Sequence, residues 1–488
     1  MIDHSDSRHY LELLSESELD ELHESTLKVL RRTGVLVENN ELQEMLIDRG
    51  AKIEEDSSIV KFPPGLVKSS IETAPAGFSL YERGNEGKEI RVTGDTVHTH
   101  TTGGPSYIRD LDSGKRREAK IADVKNGARV ISRLDNIHAY SPMVSPTDVT
   151  PGSEQVEMVN AAVRNTEKIV ENPVDSGREV DFLYRIFRSL AGGEEELKDK
   201  PGFVISISPI SPLSFDRLSS EALIEGARKG LPLKILPAPT TGGTSPVTFA
   251  GALVQQNAEL IAGLIIAQAI SPGLPTVLGP RLSIMDMRTS YVSWGTNELG
   301  MASACAVQLL NRYDIPSDVY GLSSDSKIMD QQQGYEKSMN GIVPALAGAD
   351  FLSGAGGLES LKSCSLAQLV IDNEVFGMIM DTLDGFEISE ETIARDLIDS
   401  VGPRGDFLRE KHTARHARKG EQYQSQLSNR DTWENWITKG RKEISTVARD
   451  KAKSILENSK PVDMDPETKK ELDRIVEDAR EYYQKSDS

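Results

Sequence analysis

Cysteine is almost missing from this 488-residue chain: only Cys305 and Cys364 occur. Both sit in small or apolar runs without CxxC spacing. That excludes a disulfide framework and a cysteine-built zinc site, and a reducing, cytoplasmic compartment is expected. Histidines number 8, and aromatic residues make up 5%. No G-x-S-x-G, H-E-x-x-H, Walker or dinucleotide fingerprint appears, so the chemistry those motifs carry is not indicated. Positive charge is in deficit: 56 Lys and Arg against 76 Asp and Glu, a net −20. Such a field repels phosphate backbones and argues against nucleic-acid partners. It mildly attracts a cationic substrate, although solubility alone accounts for it. Long apolar runs are also lacking. The longest, near Leu260–Ile270, is broken by Gly263 and Gln268 and ended by Pro272, too short and too polar to span a bilayer. Residues Met1 to Asp6 are polar and acidic, with no apolar signal core.

What is present is a change of rhythm along the chain. Up to about residue 90 the pattern is acidic and helical. Leu19, Leu22, Leu27 and Leu30 recur at helical spacing behind Ser15-Glu16-Ser17-Glu18, a helix start with acidic residues in its first turn. Leu42, Met45 and Leu46 predict a second helix ended by Gly50, and Pro63-Pro64 interrupts the segment beyond it.

From about residue 91 short β-prone runs alternate with helical stretches. The runs are 97–101, 137–144, 168–171, 203–208, 233–236, 276–278, 319–321 and 350–353. Each ends in a loop rich in Gly, Pro, Ser or Thr. Eight strand–helix units predict a closed (β/α)₈ TIM barrel, an α/β fold. Its clearest helix covers 249–269, behind Thr244-Ser245-Pro246. Residues 385–488 return to helix, with an amphipathic, frayed end. The expected organisation is a helical N-terminal extension (1–90), the barrel (91–384) and a helical C-terminal extension (385–488).

Barrel active sites lie at the C-terminal ends of the strands. The loop after the seventh run is the richest: Asp325, Lys327, Asp330, Gln331-Gln332-Gln333, Tyr335 and Glu336 crowd together. Gln332 and Glu336, four apart, share a helix face, and Asp325 is placed to cap that helix. His98 and His100 alternate on the first strand and face one side. No third ligand is evident, so interior packing is favoured over a metal. Tyr107, Tyr140, Tyr291, Trp294, Tyr320 and Tyr335 lie near loop ends. Tyr320 and Tyr335 beside Asp325 and Glu336 suit a quaternary ammonium, which aromatic faces and carboxylates hold. The basic run Lys411–Lys419 is the exception in an acidic chain, either a solvated face or a dock for an acidic partner.

Several long runs resemble the trimethylamine methyltransferase family. They include Ile207-Ser208-Pro209-Ile210-Ser211-Pro212-Leu213-Ser214-Phe215-Asp216, Gly242-Gly243-Thr244-Ser245-Pro246, Gly251 through Glu259, and Asp286-Met287-Arg288-Thr289. Ser324-Asp325-Ser326-Lys327 with Gly334-Tyr335-Glu336-Lys337, Gly354 through Ser360 with Asp372-Asn373-Glu374, and Gly402 through Leu408 continue the series in order. The resemblance covers roughly residues 10 to 460. It implies methyl transfer from a small methylated amine to the cobalamin (corrinoid) of a separate corrinoid protein, with no metal bound by this chain itself. A homo-oligomer is expected, and neither a membrane nor nucleic acid as partner.

The founding enzymes of that family carry pyrrolysine, whereas this chain shows only ordinary residues. It is similar instead to the non-pyrrolysine branch, whose members act on betaines and carnitine, and glycine betaine is the leading expectation. Substrate contacts are expected from Asp325, Gln332, Tyr335 and Glu336, with Tyr320 and His100 behind them. A substrate carboxylate calls for Arg281, Arg288 or Lys327 opposite it. Two other readings stay open: a barrel lyase forming a Schiff base on Lys234 or Lys327, and a betaine-binding protein without turnover.

Overall fold

A computed structural model of the chain describes residues 11–54, 57–84, 88–94 and 96–486. The polar segment Met1–Asp6 therefore lies outside the described residues. Eight strands form one parallel sheet in chain order: β1 (His98–Thr101), β2 (Ala139–Tyr140), β3 (Ile169–Pro173), β4 (Phe203–Ile207), β5 (Leu233–Ile235), β6 (Thr276–Leu278), β7 (Asp318–Tyr320) and β8 (Phe351–Ala355). β8 returns to pair with β1. A parallel bridge from Leu278 to Ser317 joins β6 to β7 and closes the barrel. All eight expected strands are there, within a few residues of their predicted bounds.

A helix follows each strand: α1 (Ile121–Ile131), α2 (Glu154–Val163), α3 (Gly177–Ala191), α4 (Arg217–Arg228), α5 (Phe249–Ile270), α6 (Asn297–Asn311), α7 (Gln331–Leu346) and α8 (Leu366–Asp384). Their starts are written locally. The side chains of Ser176, Asp216, Asp330 and Ser365 accept from amides at the first turns of α3, α4, α7 and α8. Asp330, not Asp325, is thus the cap of α7, and Asp325 is released for other work.

α5 is apolar on every side, and 72% of its apolar window is buried within the protein. By length and composition alone it could cross a membrane, a test that a buried core helix also passes. Here the helix has barrel on one side and the N-terminal segment on the other. Helices Glu16–Arg32 and Pro64–Thr73 cover it. Asn257 of α5 donates to Thr26 Oγ1 and to Tyr313 Oη, each at 3.0 Å. The first helix begins on the predicted signal, with Ser15 and Glu18 forming a capping box.

The N-terminal segment holds more than the helices expected from its pattern. Short strands run between them, and Phe78–Tyr81 pairs with Glu89–Val92 as an antiparallel hairpin. Leu80, Ile90 and Val92 of this hairpin pack with Ala139, Ile169, Val204 and Phe351 at the lower end of the barrel. The hairpin is a plug that seals the end away from the loops. The C-terminal helix also differs from expectation. It does not fray but continues to Ser486, with Leu472, Ile475, Val476 and Ala479 buried. Arg480 holds Glu157 of α2 at 2.6 Å, and Tyr482 meets Phe182 of α3.

Candidate active site

Alternate residues of a barrel strand point inward. Above the apolar floor, that rule stacks His100, Glu171, Ser206, Lys234 and Asp318 into one layer. Glu171 and His100 are 4% exposed, Lys234 1% and Asp318 0%. The Lys234 ammonium donates to Asp318 Oδ2 at 2.6 Å and to Glu171 Oε2. His100 Nε2 lies 2.9 Å from the same Asp318 oxygen. Ser206 donates to Glu171 at 2.8 Å, and Phe351 sets its ring 4.3 Å below the ammonium. From the loop after β6, Arg281 reaches down. Its Nη1 donates to the Asp318 carbonyl at 2.6 Å, and its Nη2 lies 2.8 Å from Asp318 Oδ1.

Burial alone pushes both carboxyls up. For Glu171 the charges of His100 and Lys234 outweigh it and hold the group below its ordinary value. For Asp318 the charges of Arg281, Lys234 and His100 hold it well below. Both carboxyls are therefore held in their ionised form and tied to their partners, not free to act as acids. His98, two residues earlier, faces the same interior but packs differently. Its Nε2 donates to the Arg91 carbonyl of the plug, and burial lowers its pKa.

His100, Glu171 and Asp318 place three ligand atoms within 4.8 Å of one another, a spacing that suits a metal ion. The sequence showed no such partners for His100. Lys234 nevertheless bonds both carboxylates, so a divalent ion there must first expel the ammonium. The same geometry opposes a Schiff base on Lys234, because its nitrogen is buried and already committed to both carboxylates.

Over this layer rises a small aromatic corner. Arg281 lies 4.3 Å from the ring centre of Tyr320, and Trp294 meets Tyr320 edge-on at 4.8 Å. Asp325 holds Trp294 in place. Its carboxylate accepts from the Trp294 amide at 2.9 Å, from Ser293 Oγ and from Ser360 Oγ. One side chain thus ties the loops after β6, β7 and β8. Glu336 reinforces the knot, accepting from Ser324 Oγ at 2.7 Å, the Asp325 amide at 2.8 Å and Gln332 Nε2 at 2.8 Å. Gly295 runs so close that a Cβ there would lie 2.5 Å from the Asp325 amide nitrogen, so only glycine fits. Below, buried Lys337 donates to the Leu322 carbonyl at 2.7 Å and to Asp372 at 2.8 Å, and Asp372 also accepts from the Gly356 amide.

Of the expected site residues, the structure brings Asp325, Gln332 and Glu336 together, but as the brace of the loops. Tyr320 stands above the charged layer and His100 within it. Tyr335 is 61% exposed and joins neither group. Arg288 is turned to solvent against Asp286. Lys327 lies at the rim, where it and Lys362 approach the Tyr291 ring at 5.9 and 4.5 Å. The sequence reading took Lys234 only as a candidate nucleophile and did not join it with Glu171 and Asp318 into the central ion set. Its one signal was a charged residue inside an otherwise buried short strand.

On the other side of the same face, the loops after β1 to β4 and the C-terminal helix border a cleft of about 770 Å³. Glu179 lies at its wall, accepting from the Asp175 amide at 2.7 Å. Burial, with the nearby charges of Asp175 and Glu154, pushes its carboxyl up from 4.5 to about 7. The folded state therefore holds this proton more tightly than the unfolded chain. Stability from the group is complete below pH 4.5 and is lost as pH rises through 7. Glu179→Gln is expected to stabilise the protein at pH 8 by roughly 1–3 kcal/mol and to have little effect at pH 4. Urea unfolding at the two pH values measures it, and an equal effect at both overturns the assignment.

The model of the family described as trimethylamine methyltransferase matches residues 4–482. Trimethylamine methyltransferase MttB of Desulfitobacterium hafniense is 36% identical over 96% of this chain and 94% of its own length. A glycine betaine methyltransferase of the same species is 31% identical over 95% of this chain and 96% of its own. Among solved structures, the Methanosarcina barkeri monomethylamine methyltransferase superposes with a TM-score of 0.51 at 17% identity, covering 91% of this chain and 93% of that one. This last likeness concerns the barrel fold alone.

Proposed function

Since this chain belongs to the trimethylamine methyltransferase family and is a methyltransferase, we propose that it takes a methyl group from a quaternary amine bearing a carboxylate, glycine betaine foremost, and delivers it to a corrinoid carried by a separate protein. The carrying observation is the corner of Trp294 and Tyr320 above the buried ion layer, with Lys327 and Lys362 at the rim. Aromatic rings hold a quaternary ammonium, and the lysines answer its carboxylate. All 488 residues are ordinary amino acids, which supports a quaternary amine over trimethylamine within this family's pattern.

The corrinoid, when docked, supplies the nucleophile. That suits a loop face whose groups offer no thiol, both cysteines being buried. A quaternary ammonium departs as a neutral tertiary amine, so no side chain has to deliver a proton. What remains for the protein is orientation and exclusion of water. Tyr320 and Trp294 orient the cation. Asp325, Gln332 and Glu336 fix the loops that carry Trp294. The buried ions below give this corner a rigid floor, with His100 as part of it.

The test is methylation of free cob(I)alamin followed by its visible spectrum, with a panel of betaines and trimethylamine. Conversion with glycine betaine and none with trimethylamine is the expected result; the reverse sinks the carboxylated-substrate reading. Ligand binding without conversion, repeated with a corrinoid protein, favours a binding protein without turnover. Trp294→Ala is expected to raise KM for the amine about 30-fold, the worth of one desolvated cation–π contact, with a smaller change in kcat. An unchanged KM removes Trp294 from the site.

A further inference from the structure

The loop after β1 contains a hairpin in which Tyr107–Arg109 pairs with Arg116–Glu118. It carries three arginines, and two of them are satisfied. Arg116 bonds Glu359 at 2.9 Å and lies over the Tyr107 ring. Arg117 bonds Asp123 at 2.7 Å and Asp110 at 3.2 Å. The third, Arg109, has no carboxylate. Its Nη1 donates to the Gly114 carbonyl at 2.9 Å, while its Nε is buried with no hydrogen-bond partner among the described residues. A buried charged donor left without an acceptor is costly.

A second arginine in the same condition lies beside it. Arg449, on the helix Ile444–Asn458 of the C-terminal extension, makes no hydrogen bond or ion pair among the described residues. Its Nη2 lies 3.9 Å from the Cβ position of Gly114, the residue that Arg109 bonds. Two guanidinium groups against one turn repel each other unless an anion lies between them. Carboxylates are abundant in a chain of net charge −20, yet those nearby are engaged elsewhere. Asp110 accepts from the Ser113 amide at 2.9 Å as well as from Arg117. Asp112 is paired with Lys453 at 2.6 Å, and Asp450 with Lys442 at 2.7 Å.

Both arginines line a pocket of about 250 Å³, closed by Met329 of the loop after β7, Ser365 at the start of α8 and Ser445 in the first turn of the C-terminal helix. The C-terminal helix has 15 residues and no side-chain cap, and α8 has 19. Arg129, in the last turn of α1, bonds the Ser459 carbonyl at 2.7 Å just past the far end of the C-terminal helix. That helix therefore runs parallel to α1, with its N-terminus toward the loops. Two helix N-termini thus add their positive ends to the two guanidinium groups. The volume falls below the roughly 300–1,000 Å³ of pockets for drug-sized ligands, so the occupant is small. Guanidinium forks match the oxygens of a phosphate. We infer that this pocket binds a phosphate group, free or on a small ester, and that the bound group ties the C-terminal helix to the loops after β1, β7 and β8.

The experiment is calorimetric titration of the full chain with inorganic phosphate and, separately, with glycerol 1-phosphate, against chloride at matched ionic strength, together with thermal melting in the same buffers. Saturable binding of one phosphate per chain is expected, with a melting temperature that rises with phosphate and not with chloride. Arg109→Gln and Arg449→Gln are each expected to weaken binding at least about 10-fold, the scale of one hydrogen bond to a charged group. Arg288→Gln, which removes an exposed arginine paired only with Asp286, is expected to keep the wild-type affinity. In phosphate-free buffer Arg449→Gln is expected to melt no lower than the wild type, since it relieves a repulsion and breaks no bond. A merely structural Arg449 predicts the opposite, a lower melting temperature with or without phosphate. Tighter binding of the ester assigns the pocket to a phosphorylated small molecule, and tighter binding of the inorganic ion assigns it to free phosphate. Binding of neither beyond chloride, or equal affinity in the wild type and both pocket variants, overturns the inference. Methyl transfer is not read in any arm of this test, so its outcome is independent of the proposed substrate.

Discussion

Lys234→Met is expected to cost about 3–5 kcal/mol of folding stability at neutral pH, the scale for breaking a buried ion pair from one side. The replacement keeps the bulk of the side chain and removes the ammonium that Glu171 and Asp318 share. Asp318 keeps Arg281, whose guanidinium lies 2.8 Å away. Glu171 keeps only the Ser206 hydroxyl and a histidine nitrogen at 3.4 Å. It becomes the stranded charge.

The effect carries a pH signature. In the wild type, Glu171 lies below its ordinary pKa. It therefore adds stability above the unfolded value, and that stability is lost as pH falls through the lower folded one. Without the ammonium, burial dominates and raises the carboxyl instead. The penalty then grows as pH rises above the unfolded value. The gap between variant and wild type is thus widest near neutrality and narrows toward pH 4. Urea unfolding across this range measures it, and a constant gap means that Glu171 is not the stranded group. Borohydride with a carbonyl substrate is expected to trap nothing on Lys234 of the wild type.

The second large effect lies beneath the knotted loops. Lys337 and Asp372 are both fully buried, 2.8 Å apart. Burial raises the Asp372 carboxyl and lowers the Lys337 ammonium even while they are paired. Lys337→Met leaves the carboxylate alone and removes the donor from the Leu322 carbonyl. A loss of about 3–5 kcal/mol is expected. Asp372→Asn in the Met background removes the stranded charge but not the orphaned carbonyl. The double variant is expected to recover to within about 1–3 kcal/mol of wild type, the cost of one unsatisfied buried acceptor. A double-mutant cycle measures the coupling. If the two losses simply add, the pair is not the unit the distances describe. Because the pair fixes Leu322 and Gly356, on the loops after β7 and β8, the double variant is also expected to turn over more slowly while folded.

The barrel is legible because its strands announce themselves. Short β-prone runs end in loop residues, and helical stretches of the right length lie between. The plug of Phe78–Tyr81 and Glu89–Val92 is not, since strands of four residues with mixed exposure carry too little alternation to read. The ion layer escapes for a narrower reason. By its pattern the seventh run begins at Val319, one residue late, and Asp318 falls outside it. Lys234 reads as a nucleophile, although a lysine between Leu233 and Ile235 in a buried strand needs an anion opposite. Asp325, Gln332 and Glu336 stand out by their crowding, which says that a loop is built for something but not whether its carboxylates face a ligand or one another. Tyr335 belongs to the same crowd in sequence, yet the packing of α7 leaves it facing solvent.

The covering of α5 has a consequence for biosynthesis. An apolar helix of 22 residues resembles a membrane segment to any machinery that meets it uncovered. Here the segments that cover it, residues 16–32 and 64–73, come well before it in the chain. Since domains are assembled from the N-terminus as the ribosome extends the chain, the wrapping has already been made when its contents emerge. Moving those first helices to the other end of the gene, with the barrel left intact, reverses that order and exposes the helix for the time needed to translate the rest.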